Sequence, residues 1–139
     1  MKPKQTQNAR IRTRGEDRPV VLVVEDDPSC RSIYLALADS LSCETHVAPN
    51  GAAALELFRS LKVVDLILLD LDMPVMNGVA FYNRYKNEKK SGDVKIVLTS
   101  SHPFAKDISE ALNFYAHAPK STPLEELRAI FTRALTRIS

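Results

Sequence analysis

Four short stretches of this 139-residue chain hold side chains suited to chemistry. Glu25, Asp26 and Asp27 follow the aliphatic run Val20–Val24. Asp70 and Asp72 follow Leu66–Leu69. Thr99, Ser100 and Ser101 follow Val94–Leu98, and Lys120 stands just after Phe114–Ala118. Carboxylates crowded into one crevice raise one another's pKa values and cost stability. A hard divalent cation relieves that repulsion. Mg²⁺ takes oxygen ligands, usually one or two carboxylates together with waters and a phosphate. The pattern therefore implies an Mg²⁺ site of carboxylates and a backbone carbonyl, with positions open to phosphoryl oxygen. The Thr99 hydroxyl and the Lys120 ammonium suit the remaining oxygens of the same phosphoryl group. Positioning and charge neutralisation supply most of the catalysis in phosphoryl transfer. A carboxylate held in line serves as nucleophile and forms an aspartyl-phosphate. No His or Cys stands where a base would be needed, and a carboxylate nucleophile needs none.

The elements that must bring these residues together are legible in the hydropathy pattern. Val20–Val24, Thr45–Ala48, Leu66–Leu69 and Val94–Leu98 read as strands, the continuous aliphatic ones as strands buried on both faces. Phe114–Ala118 is a poorer fifth strand. Helical stripes fall between them. Ile33, Leu37 and Leu41 mark a helix over about 28–41, opened by Pro28 with Asp27 as N-cap. Ala53, Ala54, Leu57, Phe58 and Leu61 mark a second, after the Pro49-Asn50-Gly51 turn. A polar helix spans about 79–90 after Asn77-Gly78, and a weaker one about 104–112. Pro123 opens a last helix whose inner face runs from Leu124 to Ile138. Five such βα units predict an α/β fold, a doubly wound (βα)5 parallel sheet with right-handed crossovers. Ligands of such sheets bind outside the C-terminal strand ends, where the acidic residues, Thr99 and Lys120 lie.

Composition limits the alternatives. Hydrophobic residues make up 45% and charged residues 26%, the balance of one ordinary globular domain. No apolar run approaches the roughly 20 residues needed to span a bilayer, so membrane insertion is not expected. The first 18 residues lack the apolar stretch of a secretory signal, and a cytoplasmic location is the expectation. Residues 1–18 carry six basic and two acidic side chains, a net +4, whereas the rest carries 13 basic and 15 acidic, a net −2. Residues 1–18 read as a flexible, solvated basic leader and 19–139 as the working domain; nucleic-acid binding is not expected. Cys30 and Cys43 read as free, packed thiols. His46 reads as a strand-face residue and His102 as a loop residue.

The strings Val21-Leu22-Val23-Val24-Glu25-Asp26-Asp27, Asp65-Leu66-Ile67-Leu68-Leu69-Asp70-Leu71-Asp72-Met73-Pro74-Val75-Met76-Asn77-Gly78, Ile96-Val97-Leu98-Thr99-Ser100 and the late Lys120 resemble the response-regulator receiver domain. The resemblance covers about residues 19–138. It implies a flavodoxin-like sheet of order 2-1-3-4-5. It also implies Asp70 as phosphoacceptor, with Thr99 and Lys120 as its catalytic partners. Glu25, Asp26 and Asp70 would be metal ligands with the backbone carbonyl of Asp72, Asp26 being the more direct of the acidic pair. Thr99 would be the switch hydroxyl, and Ser101 and Met73 would flank the phosphoryl group. Three features depart from the family pattern, the first being Ala111-Leu112-Asn113-Phe114-Tyr115, which runs about two residues short where a Gly-containing turn is usual before the fifth strand. Pro119-Lys120-Ser121 replaces the usual Lys-Pro. His117 stands where an aromatic switch residue is usual, so an imidazole there either adds pH sensitivity or is a half-exposed edge-strand residue.

The resemblance implies a stand-alone receiver, or a receiver piece of a larger protein, in a two-component phosphorelay. It would take a phosphoryl group from a histidine kinase or histidine phosphotransfer domain and signal by protein–protein contact, as monomer or weak dimer. It would not be an enzyme beyond its own phosphorylation and dephosphorylation. Docking is expected on the first helix and the loops around the site, and output on the fourth helix, fifth strand and fifth helix. Two other readings compete. One is a phosphorylation-independent module on the same fold. The other is a haloacid-dehalogenase-like phosphatase, for which Asp70-Leu71-Asp72 follows the wrong strand.

Overall fold

The computed structural model describes residues 9–11, 18–88 and 93–138, the first three and the last two as backbone only. Its elements are β1 (Ala9–Ile11), β2 (Val20–Val24), α1 (Pro28–Ser40), β3 (Glu44–Ala48), α2 (Gly51–Ser60), β4 (Leu66–Leu69), α3 (Gly78–Tyr85), β5 (Lys95–Leu98), α4 (Ala105–Ala111), β6 (Ala116–His117), α5 (Leu124–Leu135) and β7 (Thr136–Ile138). Five of the strands form a parallel sheet in the order β3-β2-β4-β5-β6. Counted within that sheet, this is the order 2-1-3-4-5.

Strand periodicity divides the core in two. Val21 and Val23 of β2, Leu66 and Leu68 of β4 and Val97 of β5 face one layer, where α1 and α5 contribute Tyr34, Leu37, Leu127, Ile130, Phe131 and Leu135. Leu22, Val24, Ile67, Leu69, Ile96 and Leu98 face the other, against Leu55 and Phe58 of α2, Phe81 of α3 and Ala105 of α4. Both faces are covered, which is why β2 and β4 contain nothing but aliphatic residues.

Side chains start the first three helices. Asp27 accepts a hydrogen bond from the Cys30 amide at 3.0 Å, with Pro28 in the first turn. Asn50 caps α2 through the Ala53 amide at 2.9 Å, and Asn77 caps α3 through the Ala80 amide at 2.9 Å. Each accepts from an orphan N–H of the first turn.

Three boundaries differ from the sequence reading. The helix expected over 79–90 ends at Tyr85, and residues 89–92 lie outside those described. The fifth sheet strand is two residues long, because Asn113 turns the chain with φ 58° just upstream, and Phe114 packs against Tyr82 with ring centroids 5.0 Å apart. The last helix ends at Leu135 and does not carry Ile138. Thr136 becomes extended, and Thr136–Ile138 pairs antiparallel with Ala9–Ile11. Part of the expected leader is thus a strand, whereas residues 1–8 and 12–17 lie outside the described residues.

Candidate functional site

One further main-chain hydrogen bond carries the sheet ladder into the residues at its C-terminal edge. Glu25 N–H donates to the Ala48 carbonyl at 3.0 Å, Asp70 N–H to Val24 at 3.1 Å and Thr99 N–H to Leu69 at 2.8 Å. The first residue after each strand is therefore aimed by the sheet itself. Carboxylate oxygens of Glu25, Asp26 and Asp70 all come within 4.8 Å of one another. Glu25 and Asp70 are buried, whereas Asp26 is exposed.

Lys120 closes the group. Its Nζ donates to Glu25 Oε2 at 3.0 Å and to Asp70 Oδ2 at 3.1 Å. Asp70 Oδ1 accepts from the Leu71 amide at 2.8 Å. Burial pushes the Glu25 carboxyl above its ordinary pKa, against the opposing pull of the Lys120 hydrogen bond. Desolvation works against the Lys120 ammonium, but its hydrogen bonds to Glu25 and Asp70 prevail and hold its pKa above the usual lysine range. The lysine is therefore charged at neutral pH.

Two buried oxygens here lack hydrogen-bond partners among the described residues: Glu25 Oε1 and Thr99 Oγ1. A buried polar atom without a partner is costly, and native structures keep few. Glu25 Oε2, by contrast, has two partners, Lys120 Nζ and the Asp27 amide at 3.1 Å. Tyr34 of α1 interacts with Thr99 without closing a hydrogen bond of normal geometry. Burial raises the Tyr34 hydroxyl to about 12, and Thr99 draws it partly back. Oxygen ligands clustered around an unpaired buried carboxylate oxygen are the donor set a hard divalent cation takes.

Lysine reaches the site although Pro119 precedes it. The Lys120 amide donates to Ser101 Oγ at 3.0 Å and the Thr122 amide to the Pro119 carbonyl at 2.8 Å, a turn that aims the side chain inward. His117 is half-buried, with Nε2 2.9 Å from the Ser100 carbonyl. Ser100 is buried and its Oγ accepts from the His102 amide. Asp72 is exposed, and Met73 packs partly buried against the α2–α3 layer. His46 lies on β3 with Nε2 2.7 Å from Glu44 Oε2, and His102 lies in the β5–α4 loop. Cys30 and Cys43 are free thiols, each raised to about 11 chiefly by burial.

Two further residues support the site, Gly78, which the sequence marks in the Asn77-Gly78 pair, and Arg31, which no motif marks. A Cβ on Gly78 would collide with the Asp70 main-chain oxygen, so the start of α3 packs directly on the peptide of the central carboxylate. Arg31 donates from Nη1 to the carbonyls of Glu25 at 3.2 Å and Asp26 at 3.3 Å. Its one signal in sequence is a cation near the N-terminus of a helix, where the macrodipole disfavours it.

Comparison with known proteins shows the family and the fold. The sequence model of the response regulator receiver domain matches residues 21–131. The sensor histidine kinase TmoS of Ectopseudomonas mendocina is 37% identical over 119 residues; the match covers 81% of this chain, which spans only 12% of the kinase's length. Among solved structures, the response regulator TrrA of Thermotoga maritima, in complex with Mg²⁺-BeF, superposes with a TM-score of 0.73 at 27% identity, covering 84% of this chain and 99% of that one. The chemotaxis response regulator CheY4 of Vibrio cholerae gives 0.73 at 25% identity, covering 85% and 99%.

Proposed function

The chain belongs to the response regulator receiver domain family, and we propose that it accepts a phosphoryl group on Asp70 in an Mg²⁺-dependent step of a two-component phosphorelay. The observation that carries this reading is the Lys120 ammonium bridging Glu25 and Asp70 beside the unpaired Glu25 Oε1. Glu25, Asp26 and Asp70, with the main-chain carbonyl of Asp72, would hold the ion. Bound there, Mg²⁺ neutralises charge on the phosphoryl oxygens.

The donor is a phosphohistidine of a histidine kinase or histidine phosphotransfer domain, in line with the kinase relative. An Asp70 carboxylate oxygen attacks phosphorus. The new P–O bond forms as the P–N bond breaks, and the electron pair returns to the imidazole. Lys120 binds one phosphoryl oxygen and the Thr99 hydroxyl, which beside Tyr34 closes no hydrogen bond of normal geometry among the described residues, donates to another. These groups neutralise developing charge and need no proton transfer to Asp70. Phosphorylation then biases a two-state surface, with Thr99 and His117 as the switching residues and a protein partner as the reader. No helix among the described residues is long and apolar enough to cross a membrane, in keeping with a cytoplasmic role.

Incubation of the protein with acetyl phosphate and Mg²⁺ tests the reading. Stoichiometric, base-labile phosphate that is lost in Asp70→Asn and in EDTA supports it. Equal labelling of Asp70→Asn, or none in the wild type, overturns it.

A further inference from the structure

Glu25 and Asp26 belong to the loop between β2 and α1, and the carbonyls of both face the Arg31 side chain. The guanidinium Nη1 donates to both carbonyls, at 3.2 and 3.3 Å. A trans peptide points its C=O and N–H in opposite directions. The peptide joining Asp26 to Asp27 therefore has Arg31 on its carbonyl side. On its amide side Asp27 N–H donates to Glu25 Oε2 at 3.1 Å. That bond, with the one from Lys120, occupies Oε2 and leaves the buried Oε1 without a partner among the described residues. Arg31 is the fourth residue of α1, where the helix dipole opposes a positive charge. It forms no close ion pair among the described residues; the Asp27 carboxylate feels its charge only weakly, while both of its hydrogen bonds go to main-chain carbonyls.

We propose that Arg31 is a positioning residue of the metal site. It clamps the Asp26–Asp27 peptide, whose N–H sets the Glu25 carboxylate with Oε1 free for the ion. This rests on the receiver reading above and adds to it a residue that touches neither the ion nor the phosphoryl group.

Electrostatics alone gives the opposite sign. Removing a cation near an acidic cluster should strengthen binding of Mg²⁺, whereas loss of the clamp should weaken it. Calorimetric titration of the full chain with MgCl₂ at fixed ionic strength separates the two. Arg31→Gln is expected to raise the Mg²⁺ dissociation constant about tenfold, the usual scale for losing an outer-sphere support. Amide exchange by NMR is expected to show Asp27 N–H protected in the metal-free wild type and released in the variant. Binding in Arg31→Gln as tight as wild type, or tighter, overturns the clamp while leaving the receiver reading intact. An unprotected Asp27 amide in the wild type overturns it without requiring any variant to fold. A wild type that binds no Mg²⁺ overturns both.

Discussion

The Lys120 ammonium lies 3.1 Å from Asp70 Oδ2, so on the proposed reading the cation that would bind a phosphoryl oxygen is already engaged by the carboxylate that would attack phosphorus. The same ammonium also holds Glu25. On that reading it would compete with a metal ion for the carboxylates and cooperate with it once a phosphoryl group arrives. Lys120→Ala is expected to bind Mg²⁺ more tightly, yet to accept phosphate from acetyl phosphate about a hundredfold more slowly, the scale of losing one preorganised charge-stabilising group. Calorimetry and phosphorylation kinetics on the same preparation check both. Parallel losses of binding and rate would place Lys120 in a purely structural role.

Gly78 gives the Asn77-Gly78 pair a physical reason. Its Cα packs on the Asp70 carbonyl, and Gly78 N–H donates to the Leu71 carbonyl at 2.9 Å. A methyl group at 78 would collide with the Asp70 main-chain oxygen. Gly78→Ala is expected to cost about 2 kcal/mol of stability, the scale of overpacking, and to reduce labelling by moving Asp70. Urea unfolding followed by circular dichroism measures the first effect; an unchanged midpoint would contradict the close approach.

The pH dependence of the metal-free protein should reveal Glu25. Burial raises its pKa above the ordinary 4.5, so from that value up to its folded pKa the folded state binds more protons than the unfolded one. Stability attributable to this group is greatest at low pH and falls as pH rises through that window. Glu25→Gln removes the buried charge. Without Mg²⁺ the variant is expected to be more stable than wild type at neutral pH, with the advantage shrinking as pH falls toward 4.5. A variant less stable than wild type at neutral pH would mean that the bonds from Lys120 and Asp27 outweigh burial.

Val75 is the strained residue of the loop after Asp70. It has φ 68°, the residue is 84% exposed, and the Met76 amide donates across it to the Pro74 carbonyl at 2.7 Å. A β-branched residue in a γ-turn of this hand is costly. Glycine relieves strain of about 1–3 kcal/mol and restores about 0.5–1 kcal/mol of unfolded-chain freedom. Val75→Gly should therefore stabilise the protein by about 1 kcal/mol. Thermal or urea unfolding checks this, and a net loss would mean that the Val75 side chain makes a contact worth more than the strain.

The fold was most legible where physics leaves the fewest options. Val20–Val24 and Leu66–Leu69 must be buried on both faces, and a continuous aliphatic run is the direct consequence. The first polar residues after those runs therefore mark the site edge, which places Glu25 and Asp70. Asp27 was legible as a cap because Pro28 follows it. The break after Leu135 was not, because Ile138 keeps the helical spacing and the competing strand partner lies at the far end of the chain. Arg31 was hidden for another reason: a side chain that bonds main-chain carbonyls leaves no pairing pattern in the sequence. Lys120 reaches the site through the Ser101 hydroxyl and the Pro119–Thr122 turn, bonds that only the folded chain brings together.

The most direct test of the account is chemical trapping of the acyl phosphate. The protein is treated with acetyl phosphate and Mg²⁺, reduced with borohydride, digested and sequenced by mass spectrometry. Reduction of an aspartyl-phosphate converts that aspartate to homoserine. The expected result is homoserine at position 70, dependent on both acetyl phosphate and Mg²⁺. Homoserine at another aspartate, or none at position 70 in a folded, Mg²⁺-loaded sample, would contradict it.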